Sequence, residues 1–266
     1  MSTSLRDYLD FAIETAYLAG RSTLAYFQTG IQAEFKADSS PVTLADRASE
    51  QLIRQRIEKR FPRHAIVGEE FGVQESESVT HRWFIDPIDG TKSFLRGIPL
   101  YAVLLGLEIE GRVRVGVAYY PAMDEMLAAA DGEGCWWNGR RARVSTVTRL
   151  SEAWVTSTDP YNFQKTGKDA AWRRIQAASY HRGGWGDAYG YLLVATGRAE
   201  VMLDPIMNEW DCAPFPPIFR EAGGFFGDWQ GNETIYGGEA LATTRVLLPD
   251  VLACLQSSSQ TGGNFR

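Results

Sequence analysis

The run Trp83-Phe84-Ile85 leads directly into Asp86-Pro87-Ile88-Asp89-Gly90-Thr91. Three bulky apolar residues in succession read as a buried strand. Any fold for this chain must therefore carry two carboxylates at the end of a core strand. Pro87 fixes its own φ and turns the chain sharply. Both carboxylates can then face one point, and the intervening Ile88 carbonyl can join them. A plain turn would account for Asp89-Gly90 taken alone, because Asp-Pro and Asp-Gly are common turn dipeptides. The complete string behind a buried strand reads as a site.

Two further acidic segments accompany it. Gly68-Glu69-Glu70 closes a short apolar run, Ala65-Ile66-Val67, just upstream. Trp210-Asp211 lies far downstream, before Glu221-Ala222-Gly223-Gly224. Adjacent glutamates are often only a solvated loop, and a Trp-Asp pair is common by chance; position relative to the Asp pair gives both their weight. Carboxylates converging from separate segments suit hard divalent cations such as Mg²⁺. Sites with two or more such ions direct water at phosphate esters.

Composition narrows the class. The 266 residues can bury a sizeable core, as one large domain or two intimate halves. Apolar content of 44% and charged content of 23% are ordinary for a soluble protein. No apolar run is long enough to span a bilayer. The N-terminus enters an amphipathic pattern without a signal-peptide layout. Cys135, Cys212 and Cys254 form no C-x-x-C pair or disulfide framework, which favours a reducing cytoplasm. A net charge of −6 argues against nucleic acid as a partner and leaves local neutralisation of a phosphate to bound metal.

Periodicity predicts helices over 5–28, 44–60 with Thr43 as N-cap, 168–178, 187–197, 212–222 and 249–256. Strands are predicted at 65–67, 83–85, 153–157, 199–203 and from 223, with a hairpin over 99–119. The sheet continues through 126–130 and 134–137, and Asn138-Gly139 makes a tight turn. Segment 33–42 reads as strand and loop, and 72–81 and 183–186 as loops. Pro214, Pro216 and Pro217 crowd the first turns of the 212–222 helix, which starts late or bends. The polar stretch 143–151 divides an N-terminal half (1–145) from a C-terminal half (146–256); residues 257–266 read as a disordered tail. Strands mixed with helices throughout give an α/β or α+β sandwich.

The three acidic motifs, in this order, resemble the inositol monophosphatase family of Mg²⁺-dependent phosphatases, over about residues 5–255. The resemblance implies an α+β fold of layered αβαβα type, a homodimer, and two or three Mg²⁺ per site. It implies metal ligands at Glu69, Asp86, the Ile88 carbonyl, Asp89 and Asp211. Glu69 then bridges metals, and Glu70 orients water or Thr91. Thr91 hydrogen-bonds the attacking water together with Glu69 or Glu70; a simpler reading makes it a helix cap. Asp46, in Thr43-Leu44-Ala45-Asp46, resembles the family's T-x-x-D and reads as a capping carboxylate near the metals. Lys36 is either a solvated lysine or a neighbour of the site. Amides of Gly90, Thr91 and Lys92 are expected to cradle the phosphate, and Asp89 to face the substrate as well. A covalent route does not fit, because no Cys stands in a C-x5-R loop.

Gly184-Trp185-Gly186-Asp187-Ala188-Tyr189-Gly190 and Ala199-Glu200-Val201-Met202-Leu203-Asp204-Pro205 resemble the histidinol-phosphatase branch. Histidinol phosphate carries an ammonium and an imidazole, so Asp187, Asp204 or Glu209 can pair with them. Arg182 and Trp185 are further candidates, although Trp185 reads equally as core and Asp187 as a helix cap. An inositol monophosphatase or a broad sugar-phosphate phosphatase is the alternative enzyme. A non-catalytic metal or phosphate-binding regulator is the alternative class.

Overall fold

The computed structural model describes residues 3–36, 41–76 and 80–256. The expected tail at 257–266 and part of segment 33–42 lie outside the described residues. In chain order the elements are α1 (Leu5–Thr23), β1 (Glu34–Phe35), β2 (Pro41–Val42), α2 (Leu44–Arg60), β3 (Ala65–Gly68), β4 (Gly72–Gln74), β5 (His81–Asp89) and α3 (Thr91–Leu95). There follow β6 (Ala102–Ile109), β7 (Arg112–Tyr120), β8 (Glu125–Ala130), β9 (Gly134–Trp137), β10 (Arg140–Arg141), β11 (Trp154–Ser157), α4 (Pro160–Lys165) and α5 (Asp169–Ala178). The chain continues through β12 (His181–Gly183), α6 (Asp187–Ala195), β13 (Val201–Asp204), α7 (Glu209–Cys212), α8 (Phe215–Ala222), β14 (Gly224–Gly227), β15 (Ala240–Thr244) and α9 (Leu248–Gln256).

Among the described residues, eight strands form one sheet in the order β10-β9-β8-β7-β6-β5-β3-β4, and five form a second, β12-β11-β13-β15-β14. Alternation along each strand sets the layers, because successive side chains point to opposite faces. Trp83 and Ile85 of β5 face α1 and α2, packing on Leu9, Ala12, Ala16 and Ile53. Phe84, between them, faces the other way, into a core shared with α6 and α8. The far side of that core is Met202, Phe226 and Ala242 of the smaller sheet. Val155, Val201 and Leu203 turn outward beneath α5 and α9, against Trp172, Ile175 and Val251. The result is the expected αβαβα stack.

Local chemistry explains where the elements depart from periodicity. The first helix stops at Thr23, short of the expected residue 28. The hydroxyls of Ser22 and Thr23 bond back to the Ala19 and Gly20 carbonyls, and the chain tightens into i→i+3 turns. The predicted loop 72–81 contains β4, and the predicted loop 183–186 begins as β12. Both are edge strands, and β4 is exposed at every position, so neither shows an apolar pattern. The predicted 212–222 helix is two helices, with Pro216 and Pro217 inside the first turn of α8. Sequence periodicity missed α4 and β15, although Asp159-Pro160 is an N-cap followed by a first-turn proline.

The α7–α8 junction lies directly on the larger sheet. A Cβ at Gly106 would approach Ala213 Cβ to 2.5 Å, and one at Gly116 would approach Pro214 O to 1.9 Å. Only glycine permits that approach, and Asp211 is carried just before the junction.

Candidate active site

A cavity of about 480 Å³ opens where the end of β5 meets α3, α6 and α7. Glu69, Asp86, Ile88, Asp89, Gly90, Thr91, Lys92 and Asp211 all line it. Asp86 and Asp89 both belong to β5, three residues apart. In a regular strand an odd separation would point them to opposite faces. The pairing with β6 shifts register between them, and the Ile88 N–H turns to Asp86 Oδ1 at 3.0 Å. That irregularity brings both carboxylates to one side. One oxygen each from Asp86, Asp89 and Asp211 lies within 4.8 Å of the others.

Helix starts fix the remaining acids. Asp211 occupies the third position of α7, where Oδ2 accepts from the Asn208 N–H at 2.9 Å and from Asn208 Nδ2 at 3.2 Å. Asp46 holds the same position in α2, and its Oδ2 accepts from the Thr43 N–H at 2.8 Å and the Thr43 hydroxyl at 2.5 Å. In both capping boxes one carboxylate oxygen is engaged by the helix start and the other is left over. The second oxygen of Asp46 lies 3.5 Å from Thr91 Oγ1, whose hydroxyl also lies 3.1 Å from the Ile88 carbonyl. Asp89 Oδ2 accepts from the Ala188 N–H of α6 at 2.6 Å, and the positive end of that helix favours the carboxylate.

Electrostatics distinguishes these groups from surface carboxylates. Burial, followed by repulsion from Glu69, Asp89 and Asp211, holds the Asp86 carboxyl well above the usual range. Burial, then Asp187 and Asp211, does the same to Asp89. Burial pushes Asp211 up to about 7 and Asp46 up to about 6. Such a cluster cannot ionise fully without a counter-charge. All its donors are oxygens, in the number and hardness that Mg²⁺ prefers, so the residues fit the metal.

Residues 4–260 match the family model for the inositol monophosphatase family. The chain belongs to that family. It is 42% identical over 236 residues to a histidinol-phosphatase of Chlorobaculum parvum, covering 88% of this chain and 91% of the relative. It is 32% identical over 254 residues to an inositol-1-monophosphatase of Mesorhizobium japonicum, covering 90% and 92%. Its fold superposes on the crystal structure of the extragenic suppressor protein SuhB of Bartonella henselae with a TM-score of 0.87, at 29% identity and covering 94% and 99% of the two chains. The chain is thus a phosphatase of a metal-dependent family whose substrates are phosphoric monoesters, and it carries an acidic cluster able to hold a metal. Among the described residues no helix is long and apolar enough to cross a membrane.

Glu70 does not reach Thr91 through its side chain. Its Oε1 accepts from Lys36 Nζ at 2.6 Å, and the same ammonium is 2.8 Å from Glu69 Oε1. The carboxylate beside Thr91 is Asp46. Thr91 caps nothing either: α3 starts after Gly90 with no side-chain cap. Lys36 is thus a neighbour of the site. Burial lowers its pKa, but the bonds to Glu69 and Glu70 outweigh that and raise it.

On the substrate side, Asp187 and Asp204 line the cavity, whereas Arg182, Trp185 and Glu209 do not. Arg182 is engaged by the Ser179 and Tyr180 carbonyls at 2.9 and 3.2 Å, at the end of α5. Trp185 stacks on Trp154, ring centroids 5.9 Å apart. Glu209 is the half-buried first residue of α7. Asp204 accepts from Tyr191 Oη at 3.0 Å and the Thr158 N–H at 3.3 Å, and burial pushes it up to about 7. Asp187 differs. It has a left-handed φ of 49°, its N–H donates to Thr158 Oγ1 at 2.7 Å, and among the described residues nothing donates to its carboxylate. A backbone outlier of this kind is often kept for function. Thr158, Asp159, Asn162, Tyr191 and Asn208 also line the cavity. Only the Asp159-Pro160 helix start could have flagged any of them.

Proposed function

We propose that this chain is a histidinol-phosphatase, releasing phosphate and L-histidinol from L-histidinol phosphate with Mg²⁺. Glu69, Asp86, the Ile88 carbonyl, Asp89 and Asp211 would hold the ions. The chemistry that Mg²⁺ would supply there is neutralisation of phosphate charge, a lowered pKa for water and stabilisation of the leaving oxygen. Thr91 orients the attacking water by accepting one of its protons in a hydrogen bond, while its own hydroxyl hydrogen is shared between the Ile88 carbonyl at 3.1 Å and Asp46 Oδ1 at 3.5 Å. The start of α3 at Gly90, Thr91 and Lys92 faces the phosphate. Asp187 receives the substrate ammonium.

The observation that carries the choice of substrate is the Asp187 carboxylate, to which no donor among the described residues bonds and which is held against Gly90, where a Cβ would lie 3.1 Å from Oδ2. Inositol phosphate offers hydroxyls to such a group; histidinol phosphate offers a cation, which makes the stronger bond. Asp187→Asn is therefore expected to raise KM for L-histidinol phosphate by about 10–100-fold, the worth of a hydrogen bond to a charged group. Its activity on myo-inositol 1-phosphate should be little changed. Equal losses on both substrates would remove Asp187 from the ammonium site.

A second expectation concerns the water. Thr91→Val keeps the shape of the side chain and deletes the hydroxyl. It should lower kcat by about 10²–10⁴-fold with KM nearly constant, because the lost contact acts in the transition state. The Mg²⁺-induced rise in Tm should survive. A rise in KM with kcat intact would show that Thr91 binds substrate and does not orient water.

A further inference from the structure

The Glu69-Glu70 turn is held by a carboxylate that never reaches the cavity. Glu50 on α2 is fully buried. Its Oε2 accepts from the Glu70 N–H at 2.7 Å, and its Oε1 accepts from the Phe71 N–H at 3.3 Å and from Arg54 Nε at 2.7 Å. Arg54, one helical turn further on, donates to the Gly72 carbonyl and reaches Gln74 Oε1 at 3.4 Å. The contact is close enough to exclude any side chain on the preceding residue: a Cβ at Gly68 would lie 2.0 Å from Glu50 Oε1. On the other side of the turn, the Glu69 N–H donates to the Ile85 carbonyl at 3.1 Å, one residue before Asp86.

A salt bridge serving only to neutralise Arg54 has no need of two successive turn amides. A carboxylate that accepts from both fixes the path of residues 69–71, and with it the direction in which the Glu69 side chain leaves the backbone. We propose that Glu50 is a positioning residue for divalent-ion binding, setting Glu69 on the Asp86 cluster through the turn, with Arg54 locking its orientation. The inference rests on the reading of Glu69 as an ion ligand. Partners behind metal ligands are commonly worth 10–100-fold in metal affinity.

The test compares Glu50→Gln, the double variant Glu50→Gln/Arg54→Gln, and Glu69→Gln as a control. Each is titrated with Mg²⁺ alone, reading the rise in Tm, and then with substrate, reading the Mg²⁺ concentration at half-maximal rate. The double variant removes the unpaired buried guanidinium that Glu50→Gln leaves behind, and so protects the fold. Both Glu50 variants are expected to need about 10–100-fold more Mg²⁺. In the double variant the metal-free Tm should recover while the Mg²⁺ requirement does not. Folded Glu50 variants with an unchanged Mg²⁺ requirement, beside a weakened Glu69→Gln, overturn the role of Glu50 and leave Glu69 a ligand. An unchanged Glu69→Gln overturns the ligand reading itself. Failure of both Glu50 variants to fold would make the pair a requirement of the fold, and overturns the assignment too.

Discussion

Asp86→Asn is expected to stop phosphate release almost completely while making the metal-free protein harder to melt. The first effect follows from the cluster. Asp86, Asp89 and Asp211 each offer one oxygen inside a 4.8 Å group, and Asp86 is the most buried of them. An amide oxygen there keeps the shape and loses the charge that holds a divalent ion. Several kcal/mol of charge stabilisation disappears, and at 1.36 kcal/mol per factor of ten this is a loss of about a thousandfold or more. The second effect has the opposite sign. Without an ion, burial and the repulsion of Glu69, Asp89 and Asp211 work against the Asp86 carboxylate. Replacing it with a neutral group relieves that repulsion, so Tm in EDTA should rise. Mg²⁺ should then stabilise the variant little. A variant that melts lower than wild type in EDTA at pH 8 would mean that the charges are not in conflict.

The metal-free protein should also lose stability as pH rises from about 4 to about 7. Asp46 and Asp187 are raised to about 6, and Asp204 and Asp211 to about 7, from an ordinary value of 3.8; burial is the first cause in each. Well below pH 3.8, folded and unfolded chains both hold these protons. Above that, the unfolded chain releases them while the folded one still keeps them, so rising pH favours unfolding. The penalty grows until the folded groups ionise, near pH 7, and is then constant. Divalent ions bind the ionised cluster and reverse the trend. Differential scanning calorimetry in EDTA should give a Tm that falls across this window, with a Mg²⁺-induced rise that grows over the same range. A Tm in EDTA that is flat or rising from pH 4 to 7 would contradict the burial of these acids as ionisable groups.

Much of this site was legible because its chemistry is local. Asp86-Pro87-Ile88-Asp89-Gly90-Thr91 announces itself as a contiguous string, and Thr43 with Asp46 is a helix-start signature that the structure reproduces residue for residue. Asn138-Gly139 likewise turns with both φ values positive, 46° and 75°, as a two-residue hairpin turn requires. What escaped is what the fold assembles from distant segments. Thr91 meets Asp46 across 45 positions, and Ala188 reaches Asp89 across 99. Glu50 carries no signal of its own in sequence, because its partners across the turn are backbone amides. In sequence Asp204 and Asp187 are equivalent candidates, and only the bonds from Tyr191 and Thr158 to Asp204 distinguish them. The edge strands were invisible for a related reason: with no buried face they need no alternation.

The most direct test of the account is the ratio of kcat/KM for L-histidinol phosphate and myo-inositol 1-phosphate, measured side by side with Mg²⁺. An ammonium paired with Asp187, together with the imidazole that inositol lacks, predicts a preference for histidinol phosphate of about a hundredfold or more. A flat or reversed ratio would contradict the assignment and leave a general phosphomonoesterase of the inositol monophosphatase family.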